Sequence, residues 1–157
     1  GDWAIDRLIP DFIRSILAGD TLHIRSPHAI RPWQHVMEPL TGYLLLAENL
    51  FNKGSQYAEA WNFGPDDSDA KSVEWIARML CNMWGESAKF EIMSKPQVHE
   101  AKYLKLDCSK AKAELNWRPH WSIDSTLESI VEWNKSRLSG ANIRDITLSQ
   151  IKDYLSL

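Results

Sequence analysis

Arginine, tryptophan and histidine alternate at positions 31, 33 and 35 of the run Ala29-Ile30-Arg31-Pro32-Trp33-Gln34-His35-Val36-Met37-Glu38-Pro39, which leads into an apolar periodic stretch over residues 40–51. The chemistry on offer is recognition of a phosphorylated ligand. A guanidinium stays protonated at any working pH, and its planar fork donates two parallel charge-assisted hydrogen bonds to a phosphate. The proline that follows restricts the backbone at Arg31, so the charge sits on a stiff turn beside an indole and an imidazole. Taken alone, Arg31 is equally able to bridge a surface carboxylate. His35 and His99 taken alone read as structural histidines, so the run by itself leaves both readings open.

Other reactive groups are few. Cys81 and Cys108 are the two cysteines, and they show neither metal-ligand spacing nor a disulfide framework. Cys81 falls on a helical apolar face, where a thiol packs as a small hydrophobe. No metal ligand and no catalytic residue is assigned. Asn62, in Trp61-Asn62-Phe63-Gly64, can tie a strand end to a loop or touch a ligand, and Glu100 can be a solvated carboxylate. The seven glycines, at 1, 19, 42, 54, 64, 85 and 140, never take the Gly-x-Gly-x-x-Gly spacing that brings a backbone against a pyrophosphate.

Of the eight tryptophans, Trp75, Trp84 and Trp133 lie in helical patterns and Trp117 and Trp121 flank Arg118-Pro119. They read mostly as core and not as a row of sugar-stacking indoles. The 21 acidic and 18 basic residues are interspersed and leave a net charge of -3, which gives no electrostatic reason to expect nucleic acid or an anionic membrane as partner. No apolar run approaches the roughly 20 residues of a membrane span, and no signal-peptide pattern is visible. With 44% hydrophobic residues in 157, the chain suffices for one core and one domain, expected in a reducing cytoplasm.

The elements that must position these groups alternate between helical and extended patterns. Ile9, Ile13, Ile16 and Leu17 share a helical face after Pro10, with Gly19 placed to end the helix. Leu22 and Ile24 alternate with His23 and Arg25 as a strand, broken by Ser26-Pro27-His28. Leu40, Tyr43, Leu44, Ala47 and Phe51 predict the next helix, followed by a short strand over residues 60–63. Asp66, Asp67, Ser68 and Asp69 offer caps for a third helix with Val73, Ile76, Ala77, Leu80 and Trp84 inward. Residues 89–93 and 102–106 read as extended and 109–115 as a short helix. Ser122 caps a helix with Leu127, Ile130, Val131 and Leu138 inward and Gly140 past its end. Thr147 with Gln150 predicts a capping box, with Ile146 and Ile151 as its staple, for a docked last helix.

Several of these segments together resemble one family. Gly1-Asp2-Trp3-Ala4, Asp6-Arg7-Leu8-Ile9-Pro10-Asp11, the Arg31 run, Gly42-Tyr43-Leu44 and Trp61-Asn62-Phe63-Gly64-Pro65 are similar, in type and order, to the carboxyl-terminal portion of the CDP-glucose 4,6-dehydratases. So are His99-Glu100-Ala101, Leu104-Lys105-Leu106-Asp107, Ser109-Lys110-Ala111 and Leu115-Asn116-Trp117-Arg118-Pro119. These are extended short-chain dehydrogenase/reductase enzymes of the nucleotide-sugar epimerase/dehydratase type. The chain departs from the pattern at Asn116, where the family usually has Gly, at Ser26, where Asn is common, and at Asn134, where Tyr often follows Glu-Trp.

The resemblance implies an α/β fold, helix-rich with short strands. It would be a carboxyl-terminal substrate-binding lobe carrying the last elements of a Rossmann-type sheet, as one portion over residues 1–157. It further implies CDP-glucose as the small-molecule substrate. Arg7, Leu8 and Ile9 would pack near the nucleotide, Leu22 and Ile24 would wall the base with Arg25 nearby, and Arg31 would hold the diphosphate helped by Asn62. His35 would support the turn or touch the ligand, and Glu100 would face the nucleotide.

The implied reaction is NAD-dependent conversion to CDP-4-keto-6-deoxyglucose in deoxysugar biosynthesis of the lipopolysaccharide O-antigen type. The C4 hydroxyl is oxidised, which acidifies the C5 proton; water is lost across C5 and C6, and the hydride returns at C6. No tyrosine here is followed four positions later by lysine, the family's catalytic pair. NAD binding and catalysis are therefore expected of an amino-terminal Rossmann half that this chain does not contain, with Gly1 an internal start. The chain alone is expected to be inactive, to expose an apolar face over residues 40–63, and to associate with that half or with copies of itself. Two other readings stand beside this one: a non-catalytic nucleotide-sugar-binding or interaction module, and a related dehydratase or epimerase using a UDP, GDP or dTDP sugar.

Overall fold

A computed structural model describes residues 3–93 and 102–156. The first apolar face forms α1, Leu8–Ala18, which buries Phe12 and Ile13. Pro10 sits in the first turn, where a missing N–H removes no helix bond, and Gly19 closes the helix at φ 72, donating its N–H to Ile16 O. The chain then enters β1, Leu22–Ile24, whose Leu22 and Ile24 are buried around an exposed His23. β2, Ile30–Pro32, precedes α2, Met37–Lys53, and a loop leads to β3, Ala70–Ser72, and α3, Val73–Trp84. β4, Phe90–Ile92, α4, Ser109–Glu114, α5, Ile123–Leu138, and α6, Ile143–Leu155, complete the order.

Two short sheets result: β1 runs parallel to β4 with Leu22 opposite Phe90, and β2 runs antiparallel to β3 with Arg31 opposite Lys71. The main core joins α1, β1, α3 and α5 through Phe12, Ile13, Leu22, Ile24, Ile76, Leu80 and Leu127. A second, smaller core holds Phe63, Cys108, Ala111, Leu115 and Trp117, with Leu45, Leu46, Tyr57 and Trp61 packed against it. Asn116 explains its own departure from the family pattern: its φ is 53, in the left-handed region that glycine enters without strain and asparagine tolerates best among side-chain-bearing residues.

Four local expectations are corrected. Residues 60–63 form no strand, because among the described residues no neighbouring strand meets their backbone. The cap of α3 is Ser72, whose Oγ accepts from Trp75 N; the Asp66 cluster instead forms a short 3-10 turn before β3. The last helix is capped five residues earlier than Thr147, at Asn142, whose side chain accepts from Arg144 N. Thr147 and Gln150 therefore lie inside α6 and dock it on α5: Thr147 Oγ1 accepts from Trp133 Nε1 at 3.0 Å and Gln150 Nε2 donates to Ser129 O at 2.9 Å. Leu138, read as inward, is 46% exposed at the end of α5.

On α2 the buried positions are Glu38, Gly42 and Asn49, whereas Leu40, Tyr43, Leu44 and Phe51 are exposed. Phe51 reaches 91% exposure and Leu44 71%, so the helix presents a largely exposed apolar face, on which the Tyr43 ring meets Phe63 edge-on at 5.6 Å. On its buried side Gly42 permits close approach of Phe63. A Cβ there would lie 2.6 Å from Phe63 Cγ and 2.7 Å from Cε1, and that ring is held edge-on by Trp117 at 5.1 Å. Gly42→Ala is therefore expected to lower stability by about 1–3 kcal/mol through overpacking, despite the better helix propensity of alanine. Chemical denaturation of the two chains checks this, and an unchanged or raised midpoint would show that the Phe63 ring can yield.

Candidate functional site

A cavity of about 640 Å³ lies between the start of α1, the turn before α2, and the facing sides of α5 and α6. Arg7 occupies the position before α1 with extended φ and ψ, and Leu8 and Ile9 follow in its first turn, so the three side chains reach one wall together. The opposite wall carries Trp33, Gln34, His35 and Met37. Trp33 is fixed by its Nε1, which donates to Lys71 O at 2.8 Å, and Gln34 by its Nε2, which donates to Phe63 O at 2.9 Å. The floor comes from Ile130, Trp133 and Asn134 of α5 and from Thr147, Gln150 and Ile151 of α6.

His35 is the one imidazole of this cavity. Its Nδ1 accepts from Met37 N at 3.3 Å, and its ring meets Trp121 edge-on at 5.0 Å. Burial pushes its pKa below the usual histidine value, with the nearby Glu38 charge opposing in part. A neutral ring whose Nδ1 is an acceptor carries its proton on Nε2, so His35 is a hydrogen-bond donor through that atom. The cavity is otherwise mainly apolar and aromatic, the composition of a site that takes a flat organic ligand and fixes it with few polar groups. Gln34 Oε1 and Asn134 Oδ1, on residues of its walls, are buried without a hydrogen-bond partner.

Four of the ten sequence-predicted residues, Arg7, Leu8, Ile9 and His35, thus meet in one cavity. Of the other described ones, Leu22, Ile24, Arg25, Arg31 and Asn62, none lines it. Leu22 and Ile24 are each 3% exposed and face the core, not an open wall. Arg25 Nη2 pairs with Asp6 Oδ1 at 2.8 Å. Arg31 is half-buried on β2, its Nη1 donating to Ile30 O at 2.9 Å, with Lys71 directly opposite on β3. Asn62 Nδ2 donates to Asp107 O at 3.1 Å, a tie between loops. Glu100 and His99 lie outside the described residues.

Sequence reasoning missed the contribution of α5 and α6. The available signal was Asn134, a polar residue within an otherwise apolar stripe, 7% exposed here. None of the α-helices among the described residues opens from a glycine, the positions before them being Arg7, Val36, Ser72, Cys108, Ser122 and Asn142, so none of them starts on the glycine turn that carries the pyrophosphate of a dinucleotide. Among the described residues no group of three His, Cys, Asp or Glu could hold a metal ion, and no helix is long and apolar enough to cross a membrane.

No protein-family model matches the chain. A curated CDP-glucose 4,6-dehydratase of Salmonella typhimurium (strain LT2) is 47% identical over 156 residues, which is 99% of this chain and 44% of that protein. The chain therefore spans a little under half the length of this relative and matches its carboxyl-terminal portion. Among solved structures, a UDP-glucuronic acid 4-epimerase from Bacillus cereus, in complex with UDP-glucuronic acid and NAD, is 24% identical with a TM-score of 0.69 over 83% of this chain and 40% of its own. A dTDP-glucose 4,6-dehydratase from Bacillus anthracis, in complex with NAD, gives 18% and 0.63 over 83% and 40%. A UDP-glucose 4-epimerase from Thermotoga maritima, with UDP-glucose, gives 21% and 0.66 over 87% and 41%. At these identities the likeness establishes the fold alone, an α/β fold, helix-rich with short strands, shared with part of each of these enzymes.

Proposed function

Because this chain matches the carboxyl-terminal portion of a CDP-glucose 4,6-dehydratase and has the fold of that portion in extended short-chain dehydrogenases/reductases, we propose that it is the nucleotide-sugar-binding part of a CDP-glucose 4,6-dehydratase. The observation that carries this is the 47% identity extending over 99% of the chain. The substrate is CDP-glucose, and the product belongs to deoxysugar biosynthesis of the lipopolysaccharide O-antigen type. NAD supplies the reversible oxidation at C4, and its binding and the proton transfers belong to an amino-terminal Rossmann half, since this chain has neither a glycine turn nor the Tyr-x-x-x-Lys pair. The two free cysteines fit a reducing cytoplasm as the place of action.

What these residues do is bind and orient. Arg7, Leu8, Ile9 and His35 take the ligand in the cavity, whose size of about 640 Å³ suits a nucleotide-sized molecule. Arg31 holds the diphosphate. It faces Lys71 across the β2 and β3 pair, and like charges directly opposite are unfavourable in a sheet, so an anion between them is stabilised. Leu22 and Ile24 act from the core as supports of the strand that leads to Arg25. Asn62 steadies the loop beside Asp107, and Glu100 accepts from the cytosine amino group or the ribose hydroxyls. The exposed face of α2, with Leu40, Tyr43, Leu44 and Phe51, is where the amino-terminal half or a second copy covers the chain.

Titrating CDP into the 157-residue chain tests the site. Backbone amide signals of residues 7–9 and 33–37 are expected to shift together and to saturate, with UDP and GDP giving smaller responses at equal concentration. Signals that stay fixed in both segments would reject this cavity as the nucleotide site. An equal response to UDP would leave the site and remove the cytidine preference.

A further inference from the structure

Glu38 is a carboxylate with no exposed surface, and among the described residues its oxygens are met by three donors, none of them cationic. Oε1 accepts from Trp121 N at 2.8 Å, while Oε2 accepts from His120 N at 3.0 Å and from the Tyr154 hydroxyl at 2.8 Å. These partners lie 82, 83 and 116 residues away, so one side chain ties the first turn of α2 to the bend before α5 and to the last turn of α6. Rings seal the junction: His120 stacks on Tyr154 at 5.1 Å, and Trp121 meets Tyr154 edge-on at 5.1 Å and His35 at 5.0 Å. Burial pushes the Tyr154 phenol up to about 12, so it remains a donor at any physiological pH.

The carboxylate does not line the cavity, yet it stands behind two of its walls. Residues 33–37 precede it on one side, and Thr147, Gln150 and Ile151 share α6 with Tyr154 on the other. A buried charge that has lost a donor is costly, so the fully bonded arrangement is strongly preferred over any in which α6 has moved away. We propose that Glu38 is the positioning residue of the cavity: through the Tyr154 hydroxyl and the His120–Trp121 backbone it holds α6 and the His35 turn at the separation that admits the ligand. The inference rests on the nucleotide reading of the cavity, and it acts through geometry without contact to the ligand.

Glu38→Gln in the 157-residue chain separates these ideas. The amide keeps the volume, but wherever its NH2 falls it opposes at least one donor: Trp121 N–H on one side, or His120 N–H and the Tyr154 hydroxyl on the other. The expected result is amide exchange in α6 at least about tenfold faster, shifted His35 ring nitrogen signals, and CDP affinity lowered by about tenfold, the effect of one hydrogen bond to a charged group. Tyr154→Phe retains the ring packing and both backbone donors. It should speed exchange in α6 and weaken CDP binding less, and it carries the test if Glu38→Gln does not fold. If the parent chain itself fails to bind CDP, the nucleotide reading falls, while α6 exchange and the His35 signals still decide the role of Glu38. A folded variant whose α6 protection and His35 signals match the parent overturns the inference, whatever its CDP affinity.

Discussion

Incubated with NAD and CDP-glucose, the 157-residue chain is expected to form no 4-keto product, and product is expected to appear when an amino-terminal Rossmann half is supplied. The dehydration begins with removal of hydride from C4, which needs a bound dinucleotide and a base at the C4 hydroxyl. The sequence carries the motif of neither. Its glycines lack the spacing for a pyrophosphate turn, and no tyrosine precedes lysine by four positions. No α-helix among the described residues opens from a glycine. Because elimination follows only after C4 oxidation has acidified the C5 proton, loss of the first step abolishes the whole sequence and does not merely slow it. The check is absorbance or mass detection of the keto sugar with and without the complementary half. Turnover by the chain alone would overturn the division of labour proposed for it.

The same experiment bears on the exposed face of α2. Leu40, Tyr43, Leu44 and Phe51 form a stripe at helical spacing, and the sequence alone predicts a helix with that stripe turned to a partner. In the structure the stripe is turned outward, while Gly42 and Asn49 are buried against the smaller core and Glu38 against the bend before α5. Periodicity identifies which face is apolar but not what covers it, since covering is a long-range fact. The same limit explains the other differences. α1, β1, α3 and α5 were readable because their apolar spacing is local and their stops, such as Gly19, are chemically distinct. Residues 60–63 look like a strand in composition, but a strand exists only when a neighbour supplies its ladder. Ser72 and Asn142 were hidden as caps among other capping residues, and the Asp66 cluster and Thr147 offered equally good local chemistry. For the site, Arg7, Leu8, Ile9 and His35 could be named from the resemblance, and the structure brings them together. The floor from α5 and α6 and the Glu38 junction could not be named, because they join residues about a hundred positions apart by contacts that leave no pattern in the chain.

Arg31→Ala is expected to weaken CDP binding by roughly 10- to 150-fold while leaving the fold intact, the equivalent of about 1.5–3 kcal/mol for hydrogen bonds from a charged donor. The fold should tolerate the change because Arg31 lies outside both hydrophobic cores, and alanine retains the β2 backbone pairing through which Ile30 and Pro32 meet Ser72 and Ala70. Arg31→Lys should recover only part of the affinity, since an ammonium keeps the charge but loses the planar fork that meets two phosphate oxygens at once. Lys71, opposite on β3, sharpens the comparison. If the site works only by positive potential, Lys71→Ala should cost about as much as Arg31→Ala, whereas bidentate recognition by Arg31 predicts a clearly smaller loss. Raising the salt concentration should weaken the contribution of Lys71 more than that of the hydrogen-bonded guanidinium. Calorimetric titration of CDP into the parent and the three variants measures these differences. An Arg31→Ala chain that is folded and binds CDP as tightly as the parent would make Arg31 a structural residue of β2 and move the diphosphate toward Arg7, the arginine that lines the cavity.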